Sequence, residues 1–344
     1  MKYEDMLAQA RAKTAPFCNA CPVCDGQACR NRIPGPGAKG SGLGAVNNYK
    51  AWQRITVNMD LINPSAPIDT SWELFGRRMV MPIMAGPVGA VKMHYGPAYD
   101  DVAYNDILVA ACAAEGIAAF TGDGSDPNVM VAACQAIAKV GGAAIPTIKP
   151  WDDDTIKTKM DLAIAANAMA VAMDIDAAGL PFLKNHQPPA GPKTVAQLRR
   201  IIALADRPFI IKGVMTTDGA RKAVEAGAAA IVVSNHGGRV QDGVPATATV
   251  LPAIAAAVKG SGIKVLVDGG IRSGLDVFRA LALGADGVLI ARPFVTSVYG
   301  GQAEGVRCLL DRLAGELADT MLMCGARQLS DISPAMVEAD MGRC

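Results

Sequence analysis

The chain has 344 residues, 51% of them apolar and 5% aromatic, and a formal net charge of +1. That length suffices for one large domain with a sizeable core, and the near-neutral charge leaves no basic stripe for a nucleic acid. The charged start MKYEDMLAQARAK is not a signal peptide and no uncharged apolar run is long enough to span a membrane, so a soluble, cytoplasmic protein is expected.

Residues 1–13 read as a short amphipathic helix with Met6, Leu7 and Ala10 on one side. Cys18, Cys21, Cys24 and Cys29 follow at C-x2-C-x2-C-x4-C spacing. Thiolates this close in a cytosolic chain bind metal more often than they form disulfides. Four of them can hold Zn²⁺ in a tetrahedron or an iron–sulfur cluster; redox-active disulfides and free thiols are the alternatives. The run is similar to a ferredoxin's, with a longer last gap. Cys112, Cys134, Cys308 and Cys324 lie in apolar helical patterns and read as inert core residues. The Gly/Pro-rich IPGPGAKGSG is a linker or a lid. Residues 1–46 are therefore read as a Cys-rich segment and loop, and 47–344 as a barrel with a lead-in over 47–78 and carboxyl-terminal helices.

From Met79 onward the pattern is regular. Strand-like runs begin near Val80, Ile117, Ala143, Ala170, Pro208, Ala229, Lys264 and Gly287. Helical patterns separate them over 105–115, 127–139, 154–167, 194–205, 217–226, 245–258 and 274–283, with one more beyond Gly301. Eight strand–helix units over about 240 residues predict an α/β fold of the (β/α)8 TIM-barrel type with an amino-terminal extension. No G-x-G-x-x-G follows the first strand, which argues against a Rossmann half.

Active sites of such barrels lie at the carboxyl ends of the strands. Those ends carry Val88 and Gly89, Thr121, Lys149, Asp174 and Asp176, Lys212, then Ser234, His236 and Arg239, then Asp268 to Gly274, and Ala291-Arg292. His236 offers a base that titrates near neutrality, and Arg239 a cationic fork suited to a carboxylate. Glycines 269, 270 and 274, with Arg272 and Arg292, predict a phosphate site at the start of the following helices. Lys212, ending the apolar strand FIIK, needs an anionic partner. It suits a Schiff base or a fixed cation beside a cofactor that becomes anionic, or an ion pair with Asp174 or Asp176.

Together, IIKGV, AVEAGAAAIVVSNHGGR, VPAT and VDGGIRSGLDVFRALALGADGVLIARP resemble the FMN-dependent 2-hydroxy-acid oxidases and dehydrogenases, the family of glycolate oxidase, lactate oxidase and mandelate dehydrogenase. SNHGGR matches that family's active-site signature, and weaker similarity extends over roughly 79–332. The resemblance implies FMN bound by the barrel. Lys212 would lie beside the flavin and stabilise its reduced form, and Ser234 would touch the ring edge. Val88 and Gly89 would meet the flavin through their backbone, and Asp268, Gly270, Arg272 and Arg292 would hold the phosphate and ribityl chain. Thr121 and Ala291 complete the cofactor set. His236 would be the base, Asp176 its supporting carboxylate, and Arg239 the ligand of the substrate's carboxylate.

It also implies a small 2-hydroxy acid as substrate, an electron acceptor that is oxygen or a partner, and a homo-oligomer. Two departures stand out: the loop after strand four has no arginine, and Asp174 stands where a threonine is usual. Lys149 or Lys184 would then assist Arg239. An isopentenyl diphosphate isomerase-like reaction and a non-catalytic flavin or metal sensor are the competing readings.

Overall fold

Met6, Leu7, Ala10 and Thr14 form the buried side of α1 (Tyr3–Thr14) in the computed structural model of the chain. Residues 1–63, 65–180, 183, 186–187 and 190–339 are described by the structure. After the cysteine loop comes α2 (Leu43–Gln53), which runs across the boundary at 46/47 that the sequence pattern draws between the loop and the lead-in. Its buried side includes Asn48, and a polar residue there breaks the apolar stripe by which helices are recognised. β1 (Ile55–Val57) follows. Then β2 (Trp72–Leu74) and β3 (Arg77–Met79) form an antiparallel hairpin, turning at Phe75 and Gly76.

The strand–helix series then runs β4 (Ile83–Ala85), α3 (Val91–Tyr95), α4 (Asp101–Ala114), β5 (Ala119–Thr121), α5 (Pro127–Lys139), β6 (Ala144–Ile148), α6 (Asp153–Ala165), β7 (Val171–Asp174), α7 (Val195–Leu204) and β8 (Phe209–Val214). It continues with α8 (Thr217–Ala226), β9 (Ala230–Val233), α9 (Thr247–Val258), β10 (Lys264–Val267), α10 (Gly274–Ala282), β11 (Gly287–Ile290) and α11 (Arg292–Met323). β4 to β11 close into a parallel barrel, sealed where Val288 of β11 lies opposite Ile83 of β4. This is the (β/α)8 barrel the spacing predicts. A final strand, β12 (Val337–Ala339), pairs antiparallel with β1 outside the barrel.

Strand periodicity divides the core into two layers. Met84, Phe120, Ile145, Ile210, Val232, Leu266 and Leu289 fill the barrel interior, while Ile231, Val233, Val265, Val267 and Val288 pack against the helices. Both faces of each strand are buried, which is why these segments read as continuous apolar runs. The hairpin adds Leu74 and Met79 to the interior cluster, and the Trp72 ring lies so close to Gly287 that a Cβ there would come within 2.8 Å of it. Helix starts are fixed at Asp126, Asp152, Thr194 and Ser273, each accepting a backbone N–H of the first turn, at about 1 kcal/mol apiece.

The last helix differs from expectation. It begins at Arg292, well before Gly301, and breaks at Gln302, where φ is 52° and ψ −133°. A short helical arm therefore starts directly at the end of β11, at the mouth of the barrel.

Candidate active site at the barrel mouth

The carboxyl ends of the strands open on a cavity of about 180 Å³. Val88, Gly89, Lys212, His236, Arg239, Asp268, Gly270, Arg272, Ala291 and Arg292, all singled out from the sequence, line it. Asp174 and Lys149 join them, together with Pro36, Asn48 and His94. Thr121, Ser234 and Asp176 are not on its wall: Thr121 is buried, and Ser234 and Asp176 meet it through their hydrogen bonds to His236. The mouth is partly walled by the amino-terminal loop. Lys39 Nζ donates to the carbonyls of Gly179 and Val240 (3.2 and 2.9 Å), and Asp242 accepts from Ser41 N and Oγ (2.7 and 2.9 Å).

His236 adopts φ 56°, a conformation uncommon outside glycine, and its backbone N–H donates to Ser234 Oγ at 3.0 Å. Its Nδ1 lies 3.0 Å from Asp176 Oδ1, and its Nε2 lies 3.9 Å from Asp174 Oδ2. Burial, then the Lys212 ammonium, holds His236 below its ordinary imidazole range, against the pull of Asp176 and Asp174. Burial pushes the Asp176 carboxyl up, but His236, Lys212 and Lys149 outweigh it and keep the group below the usual carboxylate range. Asp176 is thus charged beside a neutral imidazole. The Nδ1 proton faces the carboxylate, and Nε2 is left with its lone pair on the cavity side.

Asp176, in the turn after β7, lies against β8 where that strand's register with β9 shifts between Lys212 and Val214. Gly213, at φ 100°, lies at that shift, and a Cβ there would lie 2.7 Å from Asp176 Cβ.

Lys212 is buried, and its Nζ lies 3.7 Å from Asp268 Oδ2. Burial works against its charge, but Asp176, Asp268 and Asp174 together raise its pKa above the ordinary lysine value. The ion pair considered for it with Asp174 or Asp176 is instead made with Asp268, since Asp174 Oδ2 already accepts from Lys149 Nζ at 2.8 Å. Lys149 is therefore committed to a carboxylate of the protein, which corrects its assignment as a helper of Arg239. Lys184 lies outside the described residues. Asp174, Asp176 and His236 offer ligand atoms within 4.8 Å of one another. Two buried lysines already balance the carboxylates, so the cluster suits proton transfer better than a divalent ion.

Arg239 is held from the amino-terminal side, its NH1 donating to the carbonyls of Gly35 and Gly37 (2.7 and 2.9 Å). Burial pushes its pKa down to about 10, so it stays cationic at neutral pH. His94, whose Nδ1 accepts from Gly35 N–H at 3.1 Å, is pushed down to about 3 by burial, Arg239 and Lys149. Arg292 NH2 donates to Gly237 O at 3.0 Å, and Arg272 Nε donates to Cys24 O at 2.8 Å. The two arginines lie at the starts of α11 and α10, where backbone N–H groups are unpaired.

Several supporting residues escape a sequence reading. Asn48 of α2 exchanges amide hydrogen bonds with Asn235 (2.7 and 2.9 Å) and accepts from Thr247 N–H. Gly270, at φ 86°, lies against the Asn48 backbone, where a Cβ would approach to 2.4 Å. Asp123 accepts from the Lys149 N–H and from Trp151 Nε1 (3.1 and 2.8 Å) and pairs with Lys159, fixing the end of β6. None of these pairs is close in sequence, so no local signal marks them.

Cys18, Cys21, Cys24 and Cys29 line a second cavity of about 210 Å³, and all four are free thiols. Among the described residues no three of their sulfurs lie within 4.8 Å of one another, whereas a tetrahedral zinc centre needs them about 4 Å apart. The side chains as they lie do not form the zinc site that their spacing allows. Cys112, Cys134 and Cys324 are buried as expected, while Cys308 is only partly covered, a correction to its reading as core.

The family description "FMN-dependent dehydrogenase" matches residues 35–190 and 183–339. An L-lactate dehydrogenase of Allorhizobium ampelinum is 54% identical over 127 residues, 37% of this chain and 33% of that protein. One of Pseudomonas putida is 50% identical over 137 residues, 40% of this chain and 36% of that protein. The match thus spans about a third of the length of these curated relatives. Mandelate oxidase, as a crystal structure, superposes with a TM-score of 0.80 at 27% identity, covering 100% of this chain and 99% of that one. A mandelate oxidase variant carrying a monooxide FMN adduct gives 0.76 at 30% identity, covering 98% and 100%.

Proposed function

Since the chain belongs to the FMN-dependent dehydrogenase family, we infer that it binds FMN across the barrel mouth and oxidises a small 2-hydroxy acid to the 2-oxo acid. The observation that carries this reading is the convergence of an imidazole with a carboxylate behind it, a buried lysine and a half-buried arginine on one cavity. The cavity also fits the cofactor chemically. Thr121 Oγ1, Asp174 Oδ1 and Asp268 Oδ1 are buried polar atoms with no partner among the described residues. Such atoms are costly unless a ligand or water completes them.

When bound, FMN supplies the two-electron acceptor. The backbone at Val88 and Gly89, with Thr121 and Ser234 behind, would flank its ring, and Asp268, Gly270, Ala291, Arg272 and Arg292 would hold the ribityl phosphate. Lys212 offsets negative charge developing on the cofactor at no cost in reorganisation. Arg239 holds the acid's carboxylate, and His236 Nε2 takes the hydroxyl proton. The imidazolium so formed is stabilised by Asp176 at Nδ1 and by Asp174 on the Nε2 side. Arg272 is also engaged with the amino-terminal loop, so the phosphate wall and that loop are mechanically one piece.

Lactate and mandelate name the substrates of the similar proteins; for this chain the class is a 2-hydroxy acid. The Lys149–Asp174 pair makes this mouth differ from the family pattern. Among the described residues no helix is long and apolar enough to cross a membrane. A homo-oligomer and an external electron acceptor complete the proposal.

Adding a panel of 2-hydroxy acids to the yellow protein without oxygen tests the reading. Bleaching of the flavin by at least one acid is expected; a protein that takes up no FMN, or whose flavin no acid reduces, would refute it.

A further inference from the structure

We propose that Cys18, Cys21, Cys24 and Cys29 are the ligands of an iron–sulfur cluster seated in the second cavity, against the phosphate end of the FMN site. What the cluster is for rests on the FMN reading above; whether it binds does not.

The four cysteines line one shared cavity. Buried Cys112 and Cys134 pack within apolar helices as small hydrophobes do. The four amino-terminal cysteines instead border a cavity of about 210 Å³, many times what one water or ion requires.

Three uses of such a set can be weighed. Thiol–disulfide chemistry brings two sulfurs to bonding distance, whereas all four cysteines are free and are spread around one cavity. A single tetrahedral ion needs the sulfurs closer together than they lie. A polynuclear cluster, in which each thiolate binds a different iron, takes a wider set. Loading would displace the thiol protons, and the metal would supply the free energy for their loss.

The surroundings suit that load. The loop is held before any metal arrives: Arg11 donates to the carbonyls of Asn19 and Ala20 (2.7 and 3.3 Å), Thr14 Oγ1 donates to Cys18 O at 2.8 Å, and Arg272 fixes Cys24 O. The Ala20 N–H points to Cys18 Sγ at 3.4 Å, a donor of the kind that tunes a cluster's potential. Arg272, Arg292 and Arg312 lie on the wall, and four thiolates bring more negative charge than a cluster core cancels.

Position gives the site a purpose. Pro36, Arg272 and Arg292 belong to the walls of both cavities, so one layer of side chains separates them. On the outer side Val23, between Cys21 and Cys24, is exposed. Oxidation of a 2-hydroxy acid to its 2-oxo acid releases two electrons and two protons. The electrons leave one at a time through the cluster to an external one-electron acceptor, a small redox protein, two of which are reduced per turnover. The protons leave through His236 and solvent.

The whole chain is purified without oxygen and supplied with ferrous iron and sulfide. Iron, acid-labile sulfide, zinc and FMN are then measured separately, and the dithionite-reduced protein is examined by electron paramagnetic resonance. Iron and sulfide in equal amounts, with a resonance signal, are expected. Both should be lost in Cys24→Ser/Cys29→Ser and in the milder Cys21→Ala, with FMN content kept, and both should persist in Cys308→Ser. Zinc without sulfide, no iron at all, or a signal that survives the double substitution overturns the proposal. A cluster in a chain that takes up no FMN supports it and refutes the hydroxy-acid reading instead.

Discussion

The base proposed here must be neutral to act, and burial and the ammonium of Lys212 hold His236 below the ordinary imidazole range. Its free-enzyme activity should therefore persist on acidification below the ordinary imidazole range, then fall as the ring takes a proton. The acid limb of kcat/KM against pH checks this; a limb above pH ~6.5 contradicts it. His236→Ala should keep flavin and lose about 10²–10⁴-fold in turnover, measured by anaerobic flavin reduction. Asp176→Asn should lower turnover by a similar order, because the ring loses the partner that fixes its tautomer. Arg239→Lys should raise KM more than it lowers kcat, since a point charge replaces a planar fork.

His94 bears on stability rather than chemistry. Its folded pKa is depressed to about 3, so the unfolded chain binds its proton more readily. The stability it contributes is present above the unfolded value near 6.5 and is lost as pH falls towards about 3. Melting temperature should drop over that window, and less steeply in His94→Gln.

At the scale of elements, two features outside the strand–helix pattern decide the site. The irregularity in β8 leaves room for Asp176 beside His236, and only glycine fits there. Gly213→Ala should destabilise the chain by about 1–3 kcal/mol and displace Asp176, seen as lowered denaturation midpoint together with lowered turnover. The β2–β3 hairpin carries fully buried Leu74 into the interior cluster. Leu74→Ala should cost about 2–5 kcal/mol in urea unfolding without altering flavin reduction, because the hairpin packs below the chemistry. α2 shows the converse: a helix with polar residues on its buried side is recognised only when its partners, here Asn235 and Thr247, are seen.

For the whole molecule, the amino-terminal loop is part of the mouth. Arg239 is tied to Gly35 and Gly37, Asp242 to Ser41, and Arg272 to Cys24. The guanidinium proposed to bind substrate, and the one proposed to bind phosphate, are thus both aimed by residues that the spacing alone assigns to an appended segment.

The barrel was legible in the sequence because a strand buried on both faces must be apolar throughout, and the abrupt polar residue that ends it is where solvent and ligand begin. Ile231-Val232-Val233 running into Ser234-Asn235-His236 states both facts in six residues. The residue types of the chemistry were fixed in the same way, since an imidazole, a guanidinium and an ammonium at successive strand ends have few other uses. Pairing was decided only in three dimensions: Lys149 with Asp174, Lys212 with Asp268, and Asn48 with Asn235. Those choices depend on distances between groups far apart in the chain, and on which of them lose water, and neither is encoded in local spacing.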